Sequence, residues 1–113
     1  MEKQNSIFIP TNDGMKKIEI DEIIYLESDS NYTNINLLNS TEVVPRPLKV
    51  FEAQLNGNFF RIHHSFIINM NHLKAVIKGK PYRVKLAGNI IIPIADSKKD
   101  IFHEYLKSYA YIL

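Results

Sequence analysis

The sequence contains no cysteine. Disulfides, thiolate metal sites and cysteine nucleophiles are therefore excluded, and a reducing compartment fits the composition. Long apolar runs are also missing: the stretch Ile90 to Ala95 is far too short to cross a bilayer. The first residues, Met1-Glu2-Lys3-Gln4-Asn5-Ser6, lack the apolar core of a signal peptide. A soluble, cytoplasmic protein with no membrane partner is the expectation. The most telling absence is acidic. Between Asn58 and Ala95 there is no Asp or Glu, while Arg61, Lys74, Lys78, Lys80, Arg83 and Lys85 are present with His63, His64 and His72. Residues 1–57 carry five Lys/Arg against nine Asp/Glu, and residues 58–113 carry nine against three. The formal charge of +2 hides this asymmetry. A chain charged in this way is suited to a polyanion, and nucleic acid is the first class to consider.

What is present suggests one β-rich domain over residues 1–113, long enough to bury a core without covalent staples. Ile7-Phe8-Ile9 leads into Asn12-Asp13-Gly14, a hairpin signal because glycine tolerates positive φ. Ile23-Ile24-Tyr25-Leu26-Glu27 is rich in β-branched and aromatic residues, and Ser28-Asp29-Ser30-Asn31 follows as a polar loop. Tyr32 to Leu37 alternates, placing Thr33, Ile35 and Leu37 on one face and Tyr32, Asn34 and Asn36 on the other. Thr41 to Val44 reads as a strand. Leu48 to Leu55 reads as a short helix ended by Asn56-Gly57-Asn58, with Gly57 suited to a left-handed cap.

Phe66 to Met70, Leu73 to Ile77, Tyr82 to Leu86 and Ile90 to Ile94 are further strand candidates. Asp96 is a candidate N-cap for a terminal helix to about Tyr109, with Ile101, Tyr105, Leu106 and Tyr109 near one face.

The ordered set of motifs resembles the LytTR DNA-binding domain, the output module of a family of bacterial response regulators in two-component systems. The resemblance runs from about Ile18 to Lys99. It is carried by Ile20-x-x-Ile23-x-Tyr25-Leu26-Glu27-Ser28 with Asn31-Tyr32, and by Leu48-x-x-Phe51-Glu52-x-x-Leu55. Phe59-x-Arg61-Ile62-His63-x-Ser65-Phe66-Ile67-Ile68-Asn69 and Gly88 with Ile92-Pro93-Ile94 complete it. It implies an elongated, mostly antiparallel β-sheet domain with one or two short helices and a C-terminal helix. It also implies sequence-specific binding of double-stranded DNA and transcriptional regulation. Loops would read major-groove bases, on direct repeats in promoters, with homodimers forming on the DNA. Residue by residue, the loop Ser30-Asn31-Tyr32 matches one reading element and His64 a second. The third falls at Ala95-Asp96, where relatives often carry Ser-Arg; here Asp96 replaces the cation, and Lys98 and Lys99 stand nearby as backbone contacts.

The chemistry of these residues leaves alternatives. His63 and His64 are adjacent, so on an extended segment they are expected on opposite sides: His63 as a structural hydrogen-bonder, His64 facing a ligand. Arg61 either places its fork on phosphate or guanine, or pairs with an acid such as Glu27 and braces the turn. Asn31 is either a base reader or a surface turn residue, and Tyr32 either a base reader or a half-buried strand aromatic. The lysines from Lys74 to Lys85 line a groove or merely solvate a sheet face. The four histidines lack the spacing and partners of a zinc site, and no metal or other cofactor is expected. No nucleotide loop, nucleophile elbow or carboxylate pair appears, so no enzyme activity is expected. The rival reading from another class is a β-rich protein-interaction module binding an acidic partner. A single-stranded RNA binder would need aromatics displayed on a basic sheet face, and no RNP-like motif is present.

Overall fold

A computed structural model describes residues 4–55 and 57–113 of the chain. Its ten strands are β1 (Ser6–Thr11), β2 (Gly14–Glu19), β3 (Ile23–Asp29), β4 (Tyr32–Leu37), β5 (Thr41–Val44), β6 (Phe59–His63), β7 (Phe66–Asn69), β8 (Leu73–Ile77), β9 (Arg83–Leu86) and β10 (Ile90–Pro93). Two helices, α1 (Leu48–Gln54) and α2 (Lys99–Tyr109), complete it. The strands form three antiparallel sheets: a central one ordered β5-β4-β3-β7-β6, a three-stranded β10-β9-β8, and the hairpin β1-β2. The molecule is elongated, at 47 × 35 × 24 Å, as the resemblance implies.

The inner strands β3 and β7 of the central sheet send apolar side chains to both faces, which explains their near-continuous apolar runs, while β4 and β5 are buried on one face only. One core gathers Ile9, Ile18, Ile23, Leu26, Ile35, Val44, Leu48, Phe51, Leu55 and Ile67, from the β1–β2 hairpin, α1 and the sheet. The other gathers Ile24, Ile62, Ile68, Met70, Val84, Leu86, Ile92, Ile94 and Phe102, from the opposite sheet face, the β8–β10 sheet and α2. Ile67 and Ile68, neighbours in β7, therefore serve different cores, as strand alternation requires. Each fully buried isoleucine contributes about 1.5–3 kcal/mol. In β3 the register shifts between Ile23 and Tyr25, so Ile24 and Tyr25 both turn toward the second core. Buried Asn69 is hydrogen-bonded through both side-chain atoms: its amide donates to the Ile23 carbonyl at 2.9 Å and its oxygen accepts from the Asn71 N–H at 3.0 Å.

The alternation expected of Tyr32 to Leu37 holds: Thr33 and Ile35 are buried, and Tyr32 is 49% exposed. Three local expectations need correction. In the first hairpin, Asn12-Asp13 make the two-residue turn and Gly14 (φ 144°) already pairs with Thr11 in β2. The last helix enters through a 3-10 turn, Asp96–Lys98, whose cap position is Ala95, while Lys98 takes the cap position of α2, so Asp96 caps neither. Phe102, not Ile101, is its buried anchor: Phe102 is 3% exposed against 55% for Ile101. Phe102 and Tyr105 close on Phe60, with ring centroids 5.5 and 5.0 Å away, which turns the apolar face to positions 102, 105 and 106. Helix α1 ends at Gln54 and Gly57 does adopt a left-handed φ of 77°; Asn56, read with it as the stop, lies outside the described residues.

Candidate nucleic-acid interface

Strand direction decides which turns share an edge. β3 and β4 pair up to Asp29–Tyr32, leaving Ser30-Asn31 as a tight turn with Ser30 at φ 56°. β7 starts at Phe66, opposite Glu27, and β6 ends at His63. The β6–β7 turn, His64-Ser65, thus lies at the same end as Asn31. The Ser28 N–H confirms this by donating to the Ser65 carbonyl at 2.9 Å. Two strand spacings, about 10 Å, separate the two turns.

On the far side of β6 the chain returns, with the Ala95 N–H donating to the Ile62 carbonyl at 3.1 Å. The Asp96–Lys98 turn therefore begins beside Ile62, close to the end of β6. Lys99, the next residue, holds its Nζ 4.1 Å from the centre of the Tyr82 ring. That cation–π contact restrains an otherwise exposed ammonium. Tyr82 is itself held by its carbonyl, which accepts from the Ile94 N–H at 2.8 Å. Asn31, Tyr32 and His64 thus share one end of the sheet, and Lys98 and Lys99 follow closely on the Ala95–Ile62 bond, with the Lys99 ammonium drawn to Tyr82.

Sequence reasoning missed Arg46. Thr33 pairs with Val44, and the Thr33 hydroxyl donates to the Arg46 carbonyl at 2.8 Å. This exposed cation therefore joins the edge at its other end, beside Tyr32. Its only sequence signal was its place between Pro45 and Pro47. Among the described residues the ion pairs take Lys16, Lys17, Arg61 and Lys107. Arg46, Lys98 and Lys99 are in none of them.

The knuckle departs from the expected geometry. The β6–β7 register shifts between Arg61 and His63. The extra residue cancels the alternation, and the turn follows at once, so His63 and His64 do not point apart. Their rings stack at 4.4 Å. His63 also lies 5.5 Å from Phe66, and its Nδ1 accepts from the Ser65 N–H at 3.1 Å. The structural hydrogen bond expected of His63 is therefore present. Arg61 braces the turn, but its acid is Glu52 of α1 at 2.8 Å, not Glu27. Glu27 lies on a strand two positions away in the sheet, whereas α1 packs directly against β6.

Burial, then the neighbouring His64 and Arg61, hold the His63 pKa below the usual 6.5. A neutral ring is what its Nδ1 needs in order to accept a hydrogen bond. The unfolded chain takes up this proton first as pH falls below about 6.5, so this contribution to stability is complete above that value and declines below it. An NMR titration should place the His63 midpoint below 6.5, with the melting temperature dropping over the same window. A midpoint above 6.5 would contradict the assignment.

The sequence model of a family described as the LytTr DNA-binding domain matches residues 13–107. Among curated proteins, the transcriptional regulatory protein LytR of Staphylococcus aureus is 32% identical over 72 residues, covering 63% of this chain and 29% of that protein. The sensory transduction protein LytT of Bacillus subtilis is 23% identical over 74 residues, covering 65% and 31%. This chain thus spans less than a third of the curated relatives it matches. A solved LytTr DNA-binding domain from a Bacillus cereus response regulator superposes with a TM-score of 0.79 at 26% identity. That match covers 92% of this chain and 98% of that domain.

Proposed function

The chain belongs to the LytTR DNA-binding domain family, and from that premise we propose that it reads double-stranded DNA with the turn edge of its central sheet. The observation that carries the reading is the Ser28–Ser65 backbone bond, which seats Asn31 and His64 at the same end. Exposed Asn31 offers an amide that can bond adenine through two atoms at once, and Tyr32 and His64 offer a hydroxyl and an imidazole to base edges. Lys98 and Lys99 at one end and Arg46 at the other fix register on phosphates, which carry no sequence information. The carboxylate of Asp96 disfavours phosphate beside it, leaving backbone contact to the two lysines.

One domain on one half-site binds modestly. Two copies on direct repeats in a promoter, associated as a dimer on the DNA, gain by raised effective concentration. In this reading the chain is the DNA-binding part of a transcriptional regulator. The acidic-partner reading draws on scattered lysines and on Asp96; membership of a DNA-binding family weighs against it.

Selection of bound duplexes from a random library tests the proposal. A common motif should be enriched, repeated at a fixed spacing near one helical turn or a multiple of it, about 10–10.5 base pairs. Recovery of unrelated sequences after repeated rounds would contradict base readout.

A further inference from the structure

Arg61 invites assignment as one more phosphate contact, since it flanks the reading turn and carries a full charge. Its geometry argues otherwise. Nε donates to the His63 carbonyl at 3.0 Å, Nη1 donates to Glu52 Oε1 at 2.8 Å, and Nη2 donates to the His64 carbonyl. Every nitrogen of the guanidinium is engaged by the protein. The side chain is only 20% exposed, and its charge is offset by Glu52. The register shift lies just before the turn, between Arg61 and His63, and the guanidinium holds the two carbonyls that follow it.

We infer that Arg61 is a positioning residue: with Glu52 it clamps the His63 and His64 carbonyls, sets the direction of the His64 ring toward DNA, and couples base discrimination to helix α1. The inference rests on the reading that this turn meets DNA. The rigid fork is essential because one side chain must meet two carbonyls and a carboxylate in fixed directions. Lysine keeps the charge but offers a single flexible ammonium. Helix α1 lies on the opposite face of the sheet from α2, so the clamp gives a residue of that helix a hold on sequence choice.

The test compares wild type, Arg61→Lys and Glu52→Gln on a library-selected duplex and a scrambled duplex of equal length, across a salt series. Hydrogen exchange of the Ser65 amide is measured in parallel without DNA. Arg61→Lys should lower the preference for the selected duplex about tenfold, leave the slope of log affinity against log salt at the wild-type value, and speed Ser65 exchange. Glu52→Gln, at a half-exposed helix position where folding is not at stake, should shift preference and exchange in the same direction by less.

A slope smaller by about 0.9, with both duplexes weakened equally, would make Arg61 a phosphate contact and overturn the inference. Wild-type preference together with wild-type Ser65 exchange in both variants would overturn it too. If wild type itself does not distinguish the duplexes, the DNA reading fails instead. Ser65 exchange then decides the clamp alone: faster exchange in the variants sustains it, and unchanged exchange rejects it.

Discussion

Replacing Asn31 with alanine is expected to reduce the preference for a selected duplex over a scrambled one by roughly 5- to 150-fold, the range for removing one two-point hydrogen bond to a base. The effect is large because Asn31 is exposed in a two-residue turn and, among the described residues, its side chain makes no hydrogen bond. Its amide is free for a ligand. Stability should barely change, since surface substitutions away from such bonds fall within about 0.5 kcal/mol. His64→Ala should act in the same sense and more weakly, because an imidazole makes one good bond where an amide makes two. Competition binding measures both. An Asn31→Ala protein that keeps full discrimination would remove the β3–β4 turn from the reading surface.

The second large effect concerns salt. Lys98→Ala combined with Lys99→Ala should weaken binding to every duplex alike and reduce the salt slope by about 1.8, which is about 0.9 for each phosphate no longer neutralised. Between about 50 and 200 mM salt, that difference amounts to roughly tenfold in relative affinity. Two features make these lysines the best backbone contacts. Lys98 ends and Lys99 follows the turn that begins beside Ile62, and Tyr82 holds the Lys99 ammonium in place before DNA arrives. A filter-binding salt series reads the slope directly. An unchanged slope with lowered discrimination would instead make them base readers.

Much of this scaffold was legible from local pattern. Alternation from Tyr32 to Leu37 identified the buried face of β4, whereas of the polar loop expected at Ser28-Asp29-Ser30-Asn31 only Ser30-Asn31 form the turn, because Ser28 and Asp29 still pair with Thr33 and Tyr32 in β3. What escaped the sequence depends on contacts between distant residues. Arg61 meets Glu52, which is nine positions away and on a helix, so no strand or helix spacing rule pairs them. The register shift before His63 reverses a side-chain direction that alternation alone predicts the other way. Phe102 replaced Ile101 as the helix anchor because Phe60 lies opposite it. Arg46 joined the edge only through the pairing of β4 with β5. The basic stretch from Lys74 to Lys85 was only partly informative. It spreads over β8, β9 and the turn between them, and Lys74, Lys78, Lys80 and Arg83 are exposed while Lys85 is half-buried.

The central claim is that one edge of the central sheet meets the duplex. Amide chemical-shift mapping on titration with a selected duplex tests it most directly. The largest changes should fall at residues 29–32, 64–65 and 95–99, with the opposite end of the sheet, around Leu37 and Asn69, unmoved. Changes concentrated around Leu37, Asn69 and the β1–β2 hairpin, with Asn31 and His64 silent, would contradict it.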